Sequence, residues 1–158
     1  MSTKAKTENV KKEEKLPVVV YQAVGKRKES SARVKLTLAE EVTIAGVKVK
    51  KGDMMVNGKL IAEYFPGEVS LKMYQEPFRT TNTLGRFVVT SVISGGGSAG
   101  QLGAFIHGAS RALTKVDDDK FRSILKKRSF LTRDPRKKQR RKAGFAQKSR
   151  ARKQSPKR

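Results

Sequence analysis

The stretch from Arg133 to Arg158 limits what this chain can fold into more than any other feature. From Arg136 onward it holds twelve Lys or Arg, no Asp or Glu, and one large apolar side chain, Phe145. So little apolar surface cannot offset the conformational entropy of ordering the segment. Like charges would also repel along any helix it formed. It reads as an extended basic tail over 133–158 that waits for a polyanion, carried by a folded body over 16–132. Met1 to Lys15 mixes Lys with Glu8, Glu13 and Glu14 and has no apolar centre. It reads as a short disordered arm over 1–15 rather than a signal peptide.

The 158 residues carry a net charge of +23, of which 126–158 hold +15, 16–125 hold +6 and 1–15 hold +2. A mildly charged body with a strongly basic end points to nucleic acid as the partner. An acidic membrane is the weaker reading, because the tail has neither an apolar face to insert nor a lipidation motif. The chain has no cysteine, which removes disulfides and thiolate metal sites. No apolar run approaches the roughly 20 residues of a membrane span.

Within the body, Val18 to Tyr21 open a β-like run that ends at Gly25, and Ala32 to Leu38 alternate with period two. The pair predicts a hairpin with a basic tip over Gly25 to Lys28. The tip charges are either solvated or phosphate contacts on the rigid body. Val42 to Val49 around Ala45-Gly46 predict a smaller hairpin, and Met54 to Val56 a short strand into an Asn57-Gly58 turn. Leu60, Ile61, Tyr64 and Phe65 recur at helical spacing and stop at Pro66-Gly67. Glu68 to Arg79 predicts a helix interrupted near Pro77, and Arg86 to Ser94 the strongest strand. After Ser94-Gly95-Gly96-Gly97-Ser98-Ala99-Gly100, a helix runs to about Val116. Its apolar face is Leu102, Phe105, Ile106, Ala109, Leu113 and Val116, with His107, Arg111 and Lys115 opposite. Asp117 to Asp119 suit the N-terminus of a further helix. Phe130-Leu131 are the last core anchor before Asp134-Pro135 releases the tail. Strands followed by helices indicate a small two-layer α+β sandwich.

Gly95, Gly97 and Gly100 satisfy G-x-G-x-x-G between a strand and a helix, the context of a dinucleotide fingerprint. The second strand and terminal acid that a dinucleotide unit requires are missing, since Asp117 to Asp119 open a helix. Two uses remain: backbone N–H groups holding a nucleic-acid phosphate, or close strand-to-helix packing. The single histidine, His107, has no carboxylate cluster around it to make a metal site. It reads as solvated or as an RNA contact, and no catalytic set is supported.

Several ordered blocks resemble the bacterial form of the small-subunit ribosomal protein S-nine family. They are Gly25-Lys26-Arg27-Lys28-Glu29-Ser30-Ser31-Ala32-Arg33-Val34, Val56-Asn57-Gly58-Lys59 with Glu63-Tyr64-Phe65, and Gly95 to Gln101 with Ala104, His107-Gly108 and Arg111-Ala112-Leu113. Leu131-Thr132-Arg133-Asp134-Pro135-Arg136 and the final Lys157-Arg158 complete the pattern. The resemblance implies a sandwich like the second domain of ribosomal protein five and a cytoplasmic place in the head of the small ribosomal subunit. Its partners there would be rRNA, neighbouring head proteins and P-site tRNA, with no enzyme activity, cofactor, metal or small-molecule substrate. By motif match, rRNA would be met by Lys26, Arg27, Lys28, Arg33, Gly96, Gly97, Gln101, His107, Arg111, Arg133, Arg136, Lys138, Arg140, Arg141, Lys142, Lys148, Arg150, Arg152 and Lys153. Lys157 and Arg158 would meet the tRNA anticodon stem-loop. The chain departs from the family in a longer 39–53 connection, in Gln139, and in lacking an aromatic before the terminal Lys-Arg. A DNA-binding protein with a basic tail and an enzyme built on the glycine loop are the competing classes. The ordered glycine block argues against the first, and binding of nucleotide at high salt would mark the second.

Overall fold

The computed structural model describes residues 18–44 and 47–140. The arm over 1–15, and the tail from 141 on with Arg141, Lys142, Lys148, Arg150, Arg152, Lys153, Lys157 and Arg158, lie outside the described residues.

The period-two pattern folds as the first hairpin, β1 (Val19–Arg27) and β2 (Ser30–Leu38), paired from Val19↔Leu38 to Arg27↔Ser30. The turn is only Lys28-Glu29, with Lys28 at φ 51°. Gly25, Lys26 and Arg27 therefore belong to the strand, not to a tip as the composition suggested. The small hairpin follows as β3 (Glu41–Ile44) and β4 (Val47–Lys50). β5 (Met54–Val56) turns through Asn57 (φ 49°) and Gly58 (φ 82°) into β6 (Lys59–Leu60). Two successive left-handed residues are what a two-residue hairpin turn demands, which is why the sequence there is Asn-Gly.

α1 (Ile61–Tyr64) is a single turn, and α2 (Glu68–Thr80) passes straight through Pro77. The expected interruption does not occur. Pro77 is buried beside Tyr74 and Phe78, and its carbonyl accepts both the backbone N–H and the hydroxyl of Thr81. Apolar burial and these bonds offset the proline's missing donor. β7 (Val88–Ser94) is the central strand of a five-stranded sheet ordered β1-β2-β7-β5-β6. It runs antiparallel to β2 and parallel to β5. α3 (Ser98–Val116) and α4 (Asp118–Lys127) complete the body. Asp117 caps α4 through a bond from Lys120 N–H, as the acidic run predicted.

Alternation along the strands sends Ala23, Ala32, Val34, Leu36, Val56, Val89 and Ile93 to one face, where they pack on Phe78, Leu102, Phe105, Leu113, Phe121 and Leu125 from the helices. Phe130 and Leu131 close this core at its end. On the other face, Met55 and Val88 form a small cluster with Val49 and Val42 of the β3–β4 hairpin. The body is thus an α+β sheet with its helices on one side.

Candidate nucleic-acid interface

The glycine segment shows what each of its residues is for. Gly95 (φ 75°) and Gly96 (φ 63°) occupy left-handed backbone. A Cβ on Gly95 would lie 2.6 Å from the Glu29 carbonyl oxygen, and one on Gly96 would overlap Ser30 Oγ. Gly100 is likewise pressed on Ser30 Oγ, at 2.8 Å from an added Cβ. These three pack the loop against the hairpin turn. Gly97 has no such reason: its φ of −120° suits any residue, and an added Cβ meets nothing within 4 Å. It is the N-cap of α3, no side chain caps the helix, and its first turn has no acid. α4, by contrast, is capped by Asp117 and carries Asp118 and Asp119 in its first turn. The positive end of α3 is left open beside a residue without a side chain.

Gln101 locks the loop from behind. Its amide donates to the Gly95 carbonyl at 3.2 Å and its oxygen accepts from Tyr64 Oη at 3.0 Å. Asn57 Nδ2 reaches Tyr64 Oη at 3.4 Å. Asn57 also pairs with the Ile93 backbone, donating to its carbonyl at 3.0 Å and accepting its N–H at 2.9 Å. The separate motifs around Asn57, Tyr64 and Gln101 are one scaffold that holds the glycine loop.

The hairpin turn lies between the glycine loop and the root of the tail. The Arg27 stem runs over Gly103 of α3, and its guanidinium pairs with Asp134. Asp134 also takes the backbone N–H of Arg136 at 2.9 Å and its guanidinium at 2.6 Å. These bonds to Arg136, with that to Arg27, hold the Asp134 carboxyl well below the usual carboxylate range. Lys137 pairs with Glu29 at 3.3 Å. Asp134 therefore fastens the start of the tail instead of releasing it. Lys28, Arg133, Lys138 and Arg140 stay exposed around it. Sequence reasoning missed Asp134 and Lys137 as parts of this site; the signal for Asp134 was present, since it is the one acid after Asp119.

Two expected contacts, His107 and Arg111, bond to the body together with Lys115. His107, Arg111 and Lys115 do not face away from the body. His107 Nδ1 accepts the Lys26 N–H at 3.2 Å, Arg111 donates to the Val24 carbonyl at 2.5 Å, and Lys115 to the Gln22 carbonyl at 2.8 Å. Residues 22, 24 and 26 point their backbone groups to the free edge of β1, so α3 seals that edge with one side chain per turn. Burial first, then the neighbouring Arg111 charge, lowers the His107 pKa, and Arg133 adds to this. Arg33 lies on the sheet face away from the helices and is not brought to the glycine loop. Among the described residues no group of three His, Cys, Asp or Glu could hold a metal ion.

This geometry joins a glycine loop, a basic hairpin turn and a basic tail root, the blocks shared with the S-nine pattern. Residues 25–158 match the family described as ribosomal protein S9/S16. The chain belongs to that family. It is similar to small ribosomal subunit protein uS9 of Rickettsia rickettsii, strain Sheila Smith, with 41% identity over 89% of both chains. It is also similar to uS9 of Renibacterium salmoninarum, with 41% identity over 85% of this chain and 74% of the other. The family's members are structural, non-enzymatic components of the small ribosomal subunit that serve translation and bind RNA. This sets aside the DNA-binding and glycine-loop enzyme classes. No described helix is long and apolar enough to cross a membrane.

Proposed function

We propose that this ribosomal protein binds small-subunit rRNA in the head of the cytoplasmic ribosome, and that its tail extends from there to P-site tRNA. The rRNA surface comprises the open start of α3 at Gly96 and Gly97, Lys26, Arg27 and Lys28, and Arg133, Arg136, Lys138 and Arg140, continued by the cations from 141 onward. Lys157 and Arg158 form the tRNA-contacting tip, an assignment that rests on the motif match. The sandwich of ribosomal protein five's second domain is the fold type that fits this body.

The observation that carries the reading is the α3 N-terminus at Gly97, which no described side chain caps and where an added Cβ would meet nothing within 4 Å, beside the root of a basic tail. Backbone N–H groups at a helix start bind phosphate oxygens, and the surrounding cations supply the sequence-independent attraction. Gly97→Ser tests it. The backbone at Gly97, φ −120° and ψ 174°, is already that of an N-cap, so a serine hydroxyl would take the free N–H groups. The variant should be slightly more stable and bind an rRNA head fragment several-fold more weakly at fixed salt. Undiminished binding by a stabilised variant would count against the site. For the tip, deleting Lys157 and Arg158 should weaken P-site tRNA binding on purified subunits while their sedimentation stays normal.

A further inference from the structure

The helices use one face of the sheet, and the β3–β4 hairpin covers only one end of the other. At the covered end, Thr37 and Val88 are buried. Two and four residues along the paired strands the face opens. There Gln22, Lys35 and Thr90 lie in one cross-strand row, and Val24, Arg33 and Val92 in the next. Val92 stands on the central strand of the sheet and is 63% exposed; Val24 is 36% exposed. Arg33 is set between these two valines, and Lys35 is its neighbour on the same face. β1, β2 and β7 contain no Asp or Glu. Their one aromatic, Tyr21, packs against the helix-side core.

A β-branched apolar side chain exposed at the centre of a sheet has no role in the fold of the described body, because nothing there covers it. Its chemistry identifies the occupant. RNA recognition on a sheet face stacks bases on aromatic rings, and this face has none. A phosphate contact would use Arg33 and Lys35 but would gain nothing from Val24 and Val92. A second copy of the chain would bring like charges together, which is costly at an interface. An apolar surface edged with carboxylates satisfies both halves of the pattern: valines buried against apolar atoms, and guanidinium and ammonium groups paired with acids at the rim.

We propose that the open end of the outer sheet face, Val24, Arg33, Lys35 and Val92, docks a neighbouring protein of the small subunit through an acidic, apolar surface. Arg33 is then a protein contact and not part of the rRNA surface. The inference rests on the ribosomal reading above. Its test places the photo-crosslinking residue p-benzoylphenylalanine at Val92 in the full chain, incorporated into small subunits. The position is exposed, so the fold tolerates the change; Val24 serves as a second site. The expected product is an adduct with another ribosomal protein whose crosslinked peptide contains Asp or Glu. Its yield should fall about tenfold when Arg33→Glu and Lys35→Glu are added, since facing like charges cost at least the ~1.4 kcal/mol that a tenfold change represents. An RNA adduct, an adduct within the same chain, no adduct, or a yield indifferent to charge reversal would overturn the proposal. The same probe at Lys138 reports on the rRNA reading alone. An RNA adduct at 138 with none to protein at 92 or 24 would leave that reading standing and this one refuted. Failure of the chain to enter subunits would refute both.

Discussion

Glycines that look alike in the sequence do opposite things here, and substitution separates them. Gly25 of β1 crosses α3 so closely that a Cβ would overlap the Ala104 carbonyl oxygen and the Gly108 nitrogen. Both are backbone atoms of a helix and cannot step aside. Gly25→Ala should therefore cost about 3 kcal/mol in urea denaturation, while Gly97→Ala should cost at most about 1 kcal/mol, the price of a poor N-cap. Equal losses would show that the glycine roles are misassigned. His107 gives a second test. Its folded pKa lies below the ordinary value, so at acid pH the unfolded chain binds a proton that the folded one resists. Its contribution is fully present above about pH 6.5 and is lost as pH falls through the folded pKa. His107→Gln should flatten the loss of stability as pH falls below about 6.5; Asp134, whose pKa is also depressed, titrates in a lower window. Denaturation midpoints with the same slope in both proteins would sink this account.

At the scale of elements, α3 is both the core helix and the cover of a sheet edge. Its apolar positions Leu102, Phe105, Ala109 and Leu113 are buried as their spacing predicts. Its polar stripe of His107, Arg111 and Lys115 binds the backbone of β1, although Arg111 and Lys115 stay exposed. The pairing has a simple geometric basis: four helical residues advance about 6.0 Å and two residues of a strand about 6.6 Å, so side chains four apart meet backbone groups two apart. Removing two of them, Arg111→Ala with Lys115→Ala, uncovers the Val24 and Gln22 carbonyls on the outer edge of β1. The expected outcome is faster hydrogen exchange at residues 22 to 26 and concentration-dependent association, read by mass spectrometry and light scattering. Unchanged exchange and a monomeric variant would mean that the seal contributes nothing.

For the whole molecule, the proposed division between body and tail is an energetic one. The core closes at Phe130 and Leu131. Beyond them, the described contacts of Arg136 and Lys137 with Asp134 and Glu29 are surface ion pairs, a class that adds little to stability. A chain ending at Pro135 should therefore keep the helix and sheet signal of the full protein by circular dichroism at 25 °C. It should also lose most of the salt dependence of RNA binding. Each phosphate contact contributes about 0.7–0.9 to the slope of log affinity against log salt, and twelve of the chain's cations follow Pro135. Equal slopes with and without those residues would contradict the division.

Local chemistry is what the sequence alone determined. Period two marked β2, helical period marked α3, Asn57-Gly58 announced its turn, and Asp117 its cap. Each of these is decided within a few residues, and the ordered glycine and basic blocks carried the family. What only the tertiary structure decided depends on partners far apart in the chain. Arg111 finds Val24 across 87 residues, and Asn57 finds Ile93 across 36. Asp134 reaches back to Arg27, and β5 lies parallel to β7 beyond one intervening strand and two helices. A cation that seals an edge, one that fastens the tail and one that faces outward have the same side-chain chemistry. Their tasks differ because packing gives one a carbonyl, another a carboxylate, and leaves the third among exposed valines.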